Sequence, residues 1–128
     1  MKKSIAIFGI CVSGFILTLL SCRHDPDLSM APTIFYSTEI QPLIAGKCGS
    51  EGCHSDINNG HGAEPLVSYD KLMSHGYIVP GNARDSKLYK AITGRGGVKK
   101  MPPGGSAQLA DADVLKIFIW IEQGAINN

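Results

Sequence analysis

The chain has 128 residues, of which 44% are hydrophobic, and its 12 Lys and Arg residues against 11 Asp and Glu residues give a formal net charge of +1. This length accommodates one small domain with a targeting segment, and it excludes barrel enzymes and dinucleotide-binding enzymes of ordinary size. The near-neutral charge predicts no nucleic-acid partner, because proteins that bind nucleic acid usually present a clearly basic surface.

The N-terminus has the pattern of an export signal. A Met-Lys-Lys start precedes an uncharged and mostly apolar run at residues 5–20. This run is short for a membrane-spanning helix and suits the core of a secretory signal peptide. It ends in Leu19-Leu20-Ser21-Cys22, which resembles the lipobox of bacterial lipoproteins. The resemblance implies a signal peptide over residues 1–21 and lipid on Cys22; the alternative is an ordinary signal peptide or an uncleaved anchor.

The next segment, residues 22–35, is expected to be a tether, because Asp25-Pro26-Asp27 and Pro32 oppose regular structure. The domain at residues 36–128 would then lie outside the cytosol, where disulfides are permitted. A domain of this size has a core that is only modestly stabilising, so we expect a covalent cross-link or a bound cofactor to stabilise the fold further.

The first predicted helix covers about residues 38–45. Thr38 and Gln41 form a capping box, and Pro42 is acceptable in a first turn. Gly46 is expected to end this helix. The helix therefore leads almost directly into Cys48.

Two of the four Cys residues of the chain lie in the run Cys48-Gly49-Ser50-Glu51-Gly52-Cys53-His54. Two Cys followed at once by His is the layout of c-type haem attachment, in which each thiol adds to a haem vinyl group and the imidazole reaches the iron. The usual form has two residues between the Cys, and here there are four. Gly49 and Gly52 give this longer loop the backbone freedom to hold both sulfurs at vinyl spacing.

Other interpretations of this run stay open at this point. One is a Cys48–Cys53 disulfide, which the compartment permits. Another is a zinc site that uses Cys48, Cys53 and His54 with His61 or His75, although the usual paired spacing is missing. An iron–sulfur cluster would need more Cys residues than the mature chain retains.

Two short helices are predicted after a polar loop at residues 55–64. Ser68 is the expected N-cap of a helix that reaches about Ser74, and Asp85 is the expected start of a helix that reaches about Thr93. A glycine-rich stretch after Thr93 ends the second of these helices. The side chains expected to face the core are Leu72, Met73, Leu88, Tyr89 and Ile92.

The run Lys99-Lys100-Met101-Pro102-Pro103-Gly104-Gly105 is predicted to be a loop, because its prolines and glycines oppose a helix. Its Met101 either fills a gap in the core or presents its thioether to a haem, and the Cys-Cys-His run favours the second role. Met73 is expected to be core packing. His61 and His75, the rival nitrogen ligands, are expected to face solvent.

The last predicted helix begins at Asp111 as N-cap, runs through Gln123 and ends at Gly124. Apolar side chains recur at helical spacing along it, namely Val114, Ile117, Phe118 and Ile121, with Trp120 alongside. No repeat and no convincing strand is found in the sequence. The predicted fold class is all-α, with about four short helices and long loops around one haem.

In order and spacing, these motifs resemble class I c-type cytochromes, specifically the small single-haem type of Bacteroidetes and Planctomycetes. The resemblance covers about residues 38–126 and rests on Ile40-Gln41-Pro42-Leu43, the Cys48–His54 run, Val79-Pro80-Gly81, Ser86-Lys87-Leu88-Tyr89, Met101-Pro102-Pro103 and Trp120-Ile121-Glu122-Gln123-Gly124-Ala125.

This resemblance implies roles for particular residues. Cys48 and Cys53 would hold one haem c through thioether bonds, and His54 and Met101 would be the proximal and distal iron ligands. Pro65 lies near the place where class I cytochromes have a Pro carbonyl that accepts the proximal His N–H. The four-residue spacer departs from the commoner pattern of the family.

The function expected from the resemblance is single-electron transfer rather than catalysis, because a haem with two protein ligands leaves no open iron position for a substrate. Lys99, Lys100 and Arg95 form either a positive rim that steers an acidic redox partner or an ordinary solvated loop. The expected location is the bacterial cell envelope, with the protein lipid-anchored and facing the periplasm or the cell surface. The alternatives are a haem sensor or weak peroxidase with a labile sixth ligand, and a haem-free disulfide-bonded lipoprotein.

Overall fold

The computed structural model describes residues 27–50, 53–55, 65–104 and 106–128. Four α-helices lie within these ranges: α1 (Gln41–Cys48), α2 (Tyr69–Ser74), α3 (Lys87–Thr93) and α4 (Asp111–Glu122). The described ranges contain no strand, so the predicted all-α class with about four short helices is confirmed and is consistent with a cytochrome c-like fold. The predicted signal peptide, Cys22, Glu51 and His61 lie outside the described residues.

The helix before the Cys run is longer than its local signals predict. A π-helical turn at Tyr36–Ile40 leads directly into α1, and the chain enters it from Phe35 without a side-chain cap at that position. The predicted capping box of Thr38 and Gln41 is therefore wrong. Instead, the carboxylate of Glu39 accepts a hydrogen bond from the backbone N–H of Phe35 at 3.0 Å, and this bond holds the pKa of Glu39 below its usual value.

The end of α1 also differs from the prediction. Gly46 lies inside the helix with open space beside its Cα, so nothing there forces a stop. The helix ends at Gly49, where an added Cβ would lie 2.7 Å from the carbonyl oxygen of Ala45 and 2.8 Å from a methyl group of Val67. The boundary therefore falls at the glycine that a neighbouring segment approaches closely, and not at the first glycine in sequence.

The two middle helices have well-defined starts. The hydroxyl of Ser68 accepts from the backbone N–H of Lys71 at 3.4 Å, which confirms its predicted role as the cap of α2. Asp85, the predicted start of α3, lies instead in a 3₁₀ turn at Ala83–Asp85, where the side chain of Asn82 accepts a hydrogen bond from the Asp85 N–H at 3.1 Å. Consequently α3 begins two residues later than predicted, and it ends as predicted at Gly94, whose φ is 66°.

The last helix, α4, agrees with the prediction to within about one residue at each end. Asp111 is its first helical residue rather than its N-cap, which is Ala110. The helix ends at Glu122, and Gly124 follows with a φ of 99°, in the left-handed region that favours glycine.

The core forms where the first and last helical segments meet. Trp120 of α4 is 1% exposed, and its ring centroid lies 5.6 Å from that of Tyr36. Tyr36 in turn makes an edge contact with Tyr69 at 5.2 Å. The indole N–H of Trp120 donates to the carbonyl oxygen of Ile126 at 3.0 Å, so the polar end of this side chain is satisfied. The other fully buried side chains include Ile40, Ile44, Leu72, Ile117 and Ile121.

The segment before α1 is attached to the C-terminal end of the chain. The side-chain amide of Gln123 accepts from the Ile34 N–H at 3.0 Å and donates to the Pro32 carbonyl at 2.9 Å. Asn128 accepts from the Tyr36 N–H at 2.7 Å through its side chain and from the Ser37 N–H at 2.9 Å through its backbone. In the part of the chain that is described, no helix is long and apolar enough to cross a membrane.

The central position of Trp120 leads to a stability prediction. Trp120→Ala should lower the free energy of unfolding by about 3–5 kcal/mol, because it leaves a cavity and an unused acceptor where α4 packs against the Tyr36–Ile40 turn. Leu115→Ala is the matched control, since Leu115 is 49% exposed on the same helix, and its cost should stay below about 1 kcal/mol. Urea unfolding followed by far-UV circular dichroism measures both. Equal losses for the two variants would contradict this assignment of the core.

Candidate functional site

A cavity of about 340 Å³ lies at the C-terminal end of α1. Its wall is almost entirely apolar and includes Leu66, Leu88, Ala91, Ile92, Val98 and Leu109. Residues from α1, the Cys run, α3 and the loop between α3 and α4 contribute to it. All four residues predicted to hold a cofactor lie in its lining: Cys48, Cys53, His54 and Met101. The fold thus brings together two sequence motifs that are far apart in the chain.

The Cys run folds back on the end of α1. The backbone N–H of His54 donates to the carbonyl oxygen of Cys48 at 2.9 Å, and that of Cys53 donates to Ser50 at 3.0 Å. The carbonyl of His54 accepts from the Leu66 N–H at 3.1 Å, which ties the run to the next described segment. These bonds close the loop between the two cysteines, so the four-residue spacer is compatible with both cysteines and His54 lining one cavity.

Both cysteines of the run are free thiols in the structure, with Cys48 half-buried and Cys53 exposed. Burial raises the pKa of the Cys48 thiol, and the neighbouring Cys53 raises it further. Burial therefore disfavours the thiolate form of Cys48.

The loop that carries Met101 is tied to α3. The Met101 N–H donates to the carbonyl oxygen of Ala91 at 3.0 Å, and the Pro102 carbonyl accepts from the side chain of Gln108 at 3.1 Å. The peptide bond between Met101 and Pro102 is cis. Met101, Pro102 and Pro103 all line the cavity. Met101 is therefore part of the cavity wall.

The described rival ligands lie elsewhere. Met73 packs against the core, as predicted, and is absent from the cavity lining. His75 is exposed, its ring is stacked on that of Tyr77 at 5.6 Å, and it does not line the cavity. Within the described ranges no group of three or more His, Cys, Asp or Glu residues could hold a metal ion, so the zinc interpretation gains no support there. Pro65 precedes Leu66, whose backbone N–H donates to the carbonyl of His54. A hydrogen bond from the His54 imidazole to the Pro65 carbonyl stays a prediction.

Sequence reasoning missed several residues of the cavity. Tyr77 and two lysines, Lys47 and Lys87, line it together with the expected Lys99. The three lysines are exposed, so they give a positive edge to an otherwise apolar cavity. For Lys47, the signal available in the sequence was its position next to Cys48. Lys87 begins α3, and nothing local in the sequence marks it as a neighbour of the Cys run.

These features fit a haem. An amphipathic, flat macrocycle needs a large apolar cavity with a polar edge, two thiols for its vinyl groups, and nitrogen and sulfur donors for its iron. The cavity has an apolar wall, the thiols of Cys48 and Cys53, the imidazole of His54 and the thioether of Met101. The same residue types hold haem in c-type cytochromes.

Comparison with known families supports this class. The model of the family described as Planctomycete cytochrome C (PSCyt1) matches residues 51–105. The matched segment includes Cys53, His54 and Met101 and begins after Cys48. A search among curated proteins gave no match, and neither did a search among solved structures. The family match supports a cytochrome c-type family for this chain, and with it haem binding and electron transfer in general.

Proposed function

We propose that this protein is a single-electron carrier that holds one haem c covalently through Cys48 and Cys53, with His54 and Met101 as its axial iron ligands. The observation that carries the proposal is the convergence of these four residues on one apolar cavity. A haem bound there would supply an iron centre that takes up and releases one electron. The family match over residues 51–105 supports the same role at a coarser level.

The residues of the chain would set the properties of that centre. The thioether of Met101 stabilises ferrous iron, so a His/Met pair raises the reduction potential relative to more strongly donating pairs. The apolar wall excludes water, which also favours the less charged state of the centre. An iron held by both His54 and Met101 would take up and release an electron with little rearrangement and would have no open position for a substrate.

The visible spectrum of the mature protein tests this function most directly. The protein should be made in a host with a cytochrome c maturation system and measured in its oxidised and reduced states. We expect a low-spin haem c that is reduced and reoxidised reversibly in one-electron steps. A colourless protein from such a host would refute the proposal, and a high-spin ferrous spectrum would favour a sensor or weak peroxidase instead.

A lipid anchor at Cys22 is the second part of the proposal, supported by the order of residues in Leu19-Leu20-Ser21-Cys22. The mature chain should begin at Cys22 and sediment with membranes, because several acyl chains together give stable anchoring. Cys22→Ser should abolish lipidation, and the same variant exported behind an ordinary cleavable signal peptide in place of residues 1–21 should appear in the soluble fraction. Intact-mass measurement and membrane fractionation check both results, and an unmodified Cys22 in the wild-type protein would contradict the anchor.

The partner proposed for the carrier is an acidic redox protein, with no nucleic acid involved. Lys47, Lys87 and Lys99 at the cavity, with Arg95 and Lys100 exposed on the neighbouring loop, give the site a positive edge. Such an edge steers an anionic partner and is screened by salt. Oxidation of the ferrous protein by ferricyanide should therefore slow as ionic strength rises, and a rate independent of salt would argue against steering.

A further inference from the structure

Three apolar side chains are exposed at the end of the molecule where the chain leads toward Cys22. Met30 is 89% exposed, Phe35 is 48% exposed and Ile126 is 57% exposed. We call these three side chains the anchor-side surface. Single exposed apolar residues are ordinary on soluble proteins, so their exposure alone has no functional meaning. Their position and surroundings are what distinguish them.

The anchor-side surface lies on two segments that are fixed to each other. Phe35 lies between Ile34, which is bonded to Gln123, and Tyr36, which is bonded to Asn128. Ile126 lies in the same C-terminal segment as Gln123 and Asn128, and its carbonyl oxygen accepts a hydrogen bond from the indole N–H of Trp120 at 3.0 Å. The apolar side chains therefore project from backbone that is held by the core.

The same two segments are free of charged side chains. Residues 28–37 and 123–128 contain no Asp, Glu, Lys or Arg, although such residues make up 18% of the chain. A surface that docks a protein partner by charge complementarity would carry such residues, as the positive edge of the cavity does. The carboxylate of Glu39, which accepts from the Phe35 N–H, is paired with Lys116 at 3.4 Å, so the charge beside this surface is neutralised. Exposed aromatic and aliphatic side chains on segments without charged residues suit the interfacial region of a bilayer.

The covalent chain places this surface close to the membrane. Cys22 and Asp27, the first described residue, are five residues apart, and five residues span at most about 18 Å when fully extended. Residues beyond Asp27 are already packed on the domain: Leu28 contacts the core, and Ile34 is 6% exposed. A lipid on Cys22 would therefore keep Asp27 within that distance of the bilayer, and with it the segment that begins there.

We propose that the anchor-side surface rests on the lipid bilayer and thereby orients the domain, an inference that rests on the proposed lipid anchor. The helical segment that begins after Phe35 ends at Cys48, and thirteen residues of helix rise about 20 Å. The haem cavity then lies at the far end of this segment from the bilayer. Its lysine edge is presented to the aqueous compartment, where a redox partner can reach it.

Hydroxyl-radical footprinting of the lipidated holoprotein tests the proposal. The protein is reconstituted in vesicles of phosphatidylethanolamine and phosphatidylglycerol, and its side-chain oxidation is compared with that of a Cys22→Ser holoprotein exported behind an ordinary cleavable signal peptide in place of residues 1–21, in solution with the same vesicles. Met30 and Phe35 should be oxidised at least threefold more slowly in the anchored protein. Leu115 is the internal control, because its 49% exposure matches that of Phe35 and its oxidation should not change.

A pair of variants isolates the surface itself. Phe35→Ser combined with Ile126→Ser should restore fast oxidation of Met30 in the anchored protein, whereas Leu115→Ser should leave Met30 protected. Equal oxidation of Met30 in the anchored and soluble proteins would overturn the proposal. Protection that disappears when the protein is diluted over more vesicles would also overturn it, because a second copy of the chain would then be covering the surface.

The intact mass and visible spectrum of each sample are recorded first. A sample without lipid or without haem identifies a failure of the proposed function. A sample that carries both and shows an unprotected Met30 overturns the bilayer contact alone.

Discussion

Replacing both Cys48 and Cys53 with Ala should abolish the retention of haem on a denaturing gel, where the wild-type protein should keep it. Thioether bonds survive detergent and heat, whereas coordination bonds between side chains and the iron do not. The wild-type and double-variant proteins are expressed in a maturation-competent host and stained for haem peroxidase activity after electrophoresis. The expected loss is complete, because no other described cysteine lines the cavity.

The two single variants serve as matched controls. Cys48→Ala and Cys53→Ala should each retain haem through the remaining thioether, with an absorption maximum shifted from that of the wild type. Retention of haem by the double variant would contradict attachment at these residues. The double variant should also unfold at lower urea concentration, because a domain of this size has a small core and covalent haem adds to it.

Replacing Met101 with Ala should open the sixth coordination position of the iron. The ferrous variant should bind carbon monoxide at least tenfold faster than the wild type, in which the ligand must first displace the thioether held by the loop bonds to Ala91 and Gln108. Its reduction potential should fall, because the axial ligands set the potential of a haem over a range of roughly 0.8 V. Peroxidase-like activity should rise. Stopped-flow mixing and redox titration measure the first two effects.

Met73→Leu is the control for this experiment. Met73 is half-buried against the core and absent from the cavity lining, so its replacement should leave carbon monoxide binding and potential unchanged. Rapid carbon monoxide binding by the wild type would favour a haem sensor. An unchanged spectrum and potential in Met101→Ala would mean that another residue, such as His61, His75 or Met73, is the sixth ligand.

Helix boundaries show where local signals in the sequence are insufficient. The hydroxyl of Ser68 and the glycine at Gly94 act on their own neighbours, so the start of α2 and the end of α3 could be predicted. The end of α1 could not, because it depends on the approach of Val67 to Gly49 from a segment further along the chain. Gly46 has the same identity as Gly49, and only the packing around each glycine distinguishes them.

The sequence by itself determined the all-α class and predicted haem attachment at the Cys48–His54 run, because helical periodicity and a Cys-Cys-His motif are carried by residues that are close in the chain. The tertiary structure decided which Met shares a cavity with that run and which lysines edge it. It also decided that residues 32–37 are bound to the C-terminal segment through Gln123 and Asn128. These results depend on contacts between residues far apart in sequence, and no local pattern encodes such contacts.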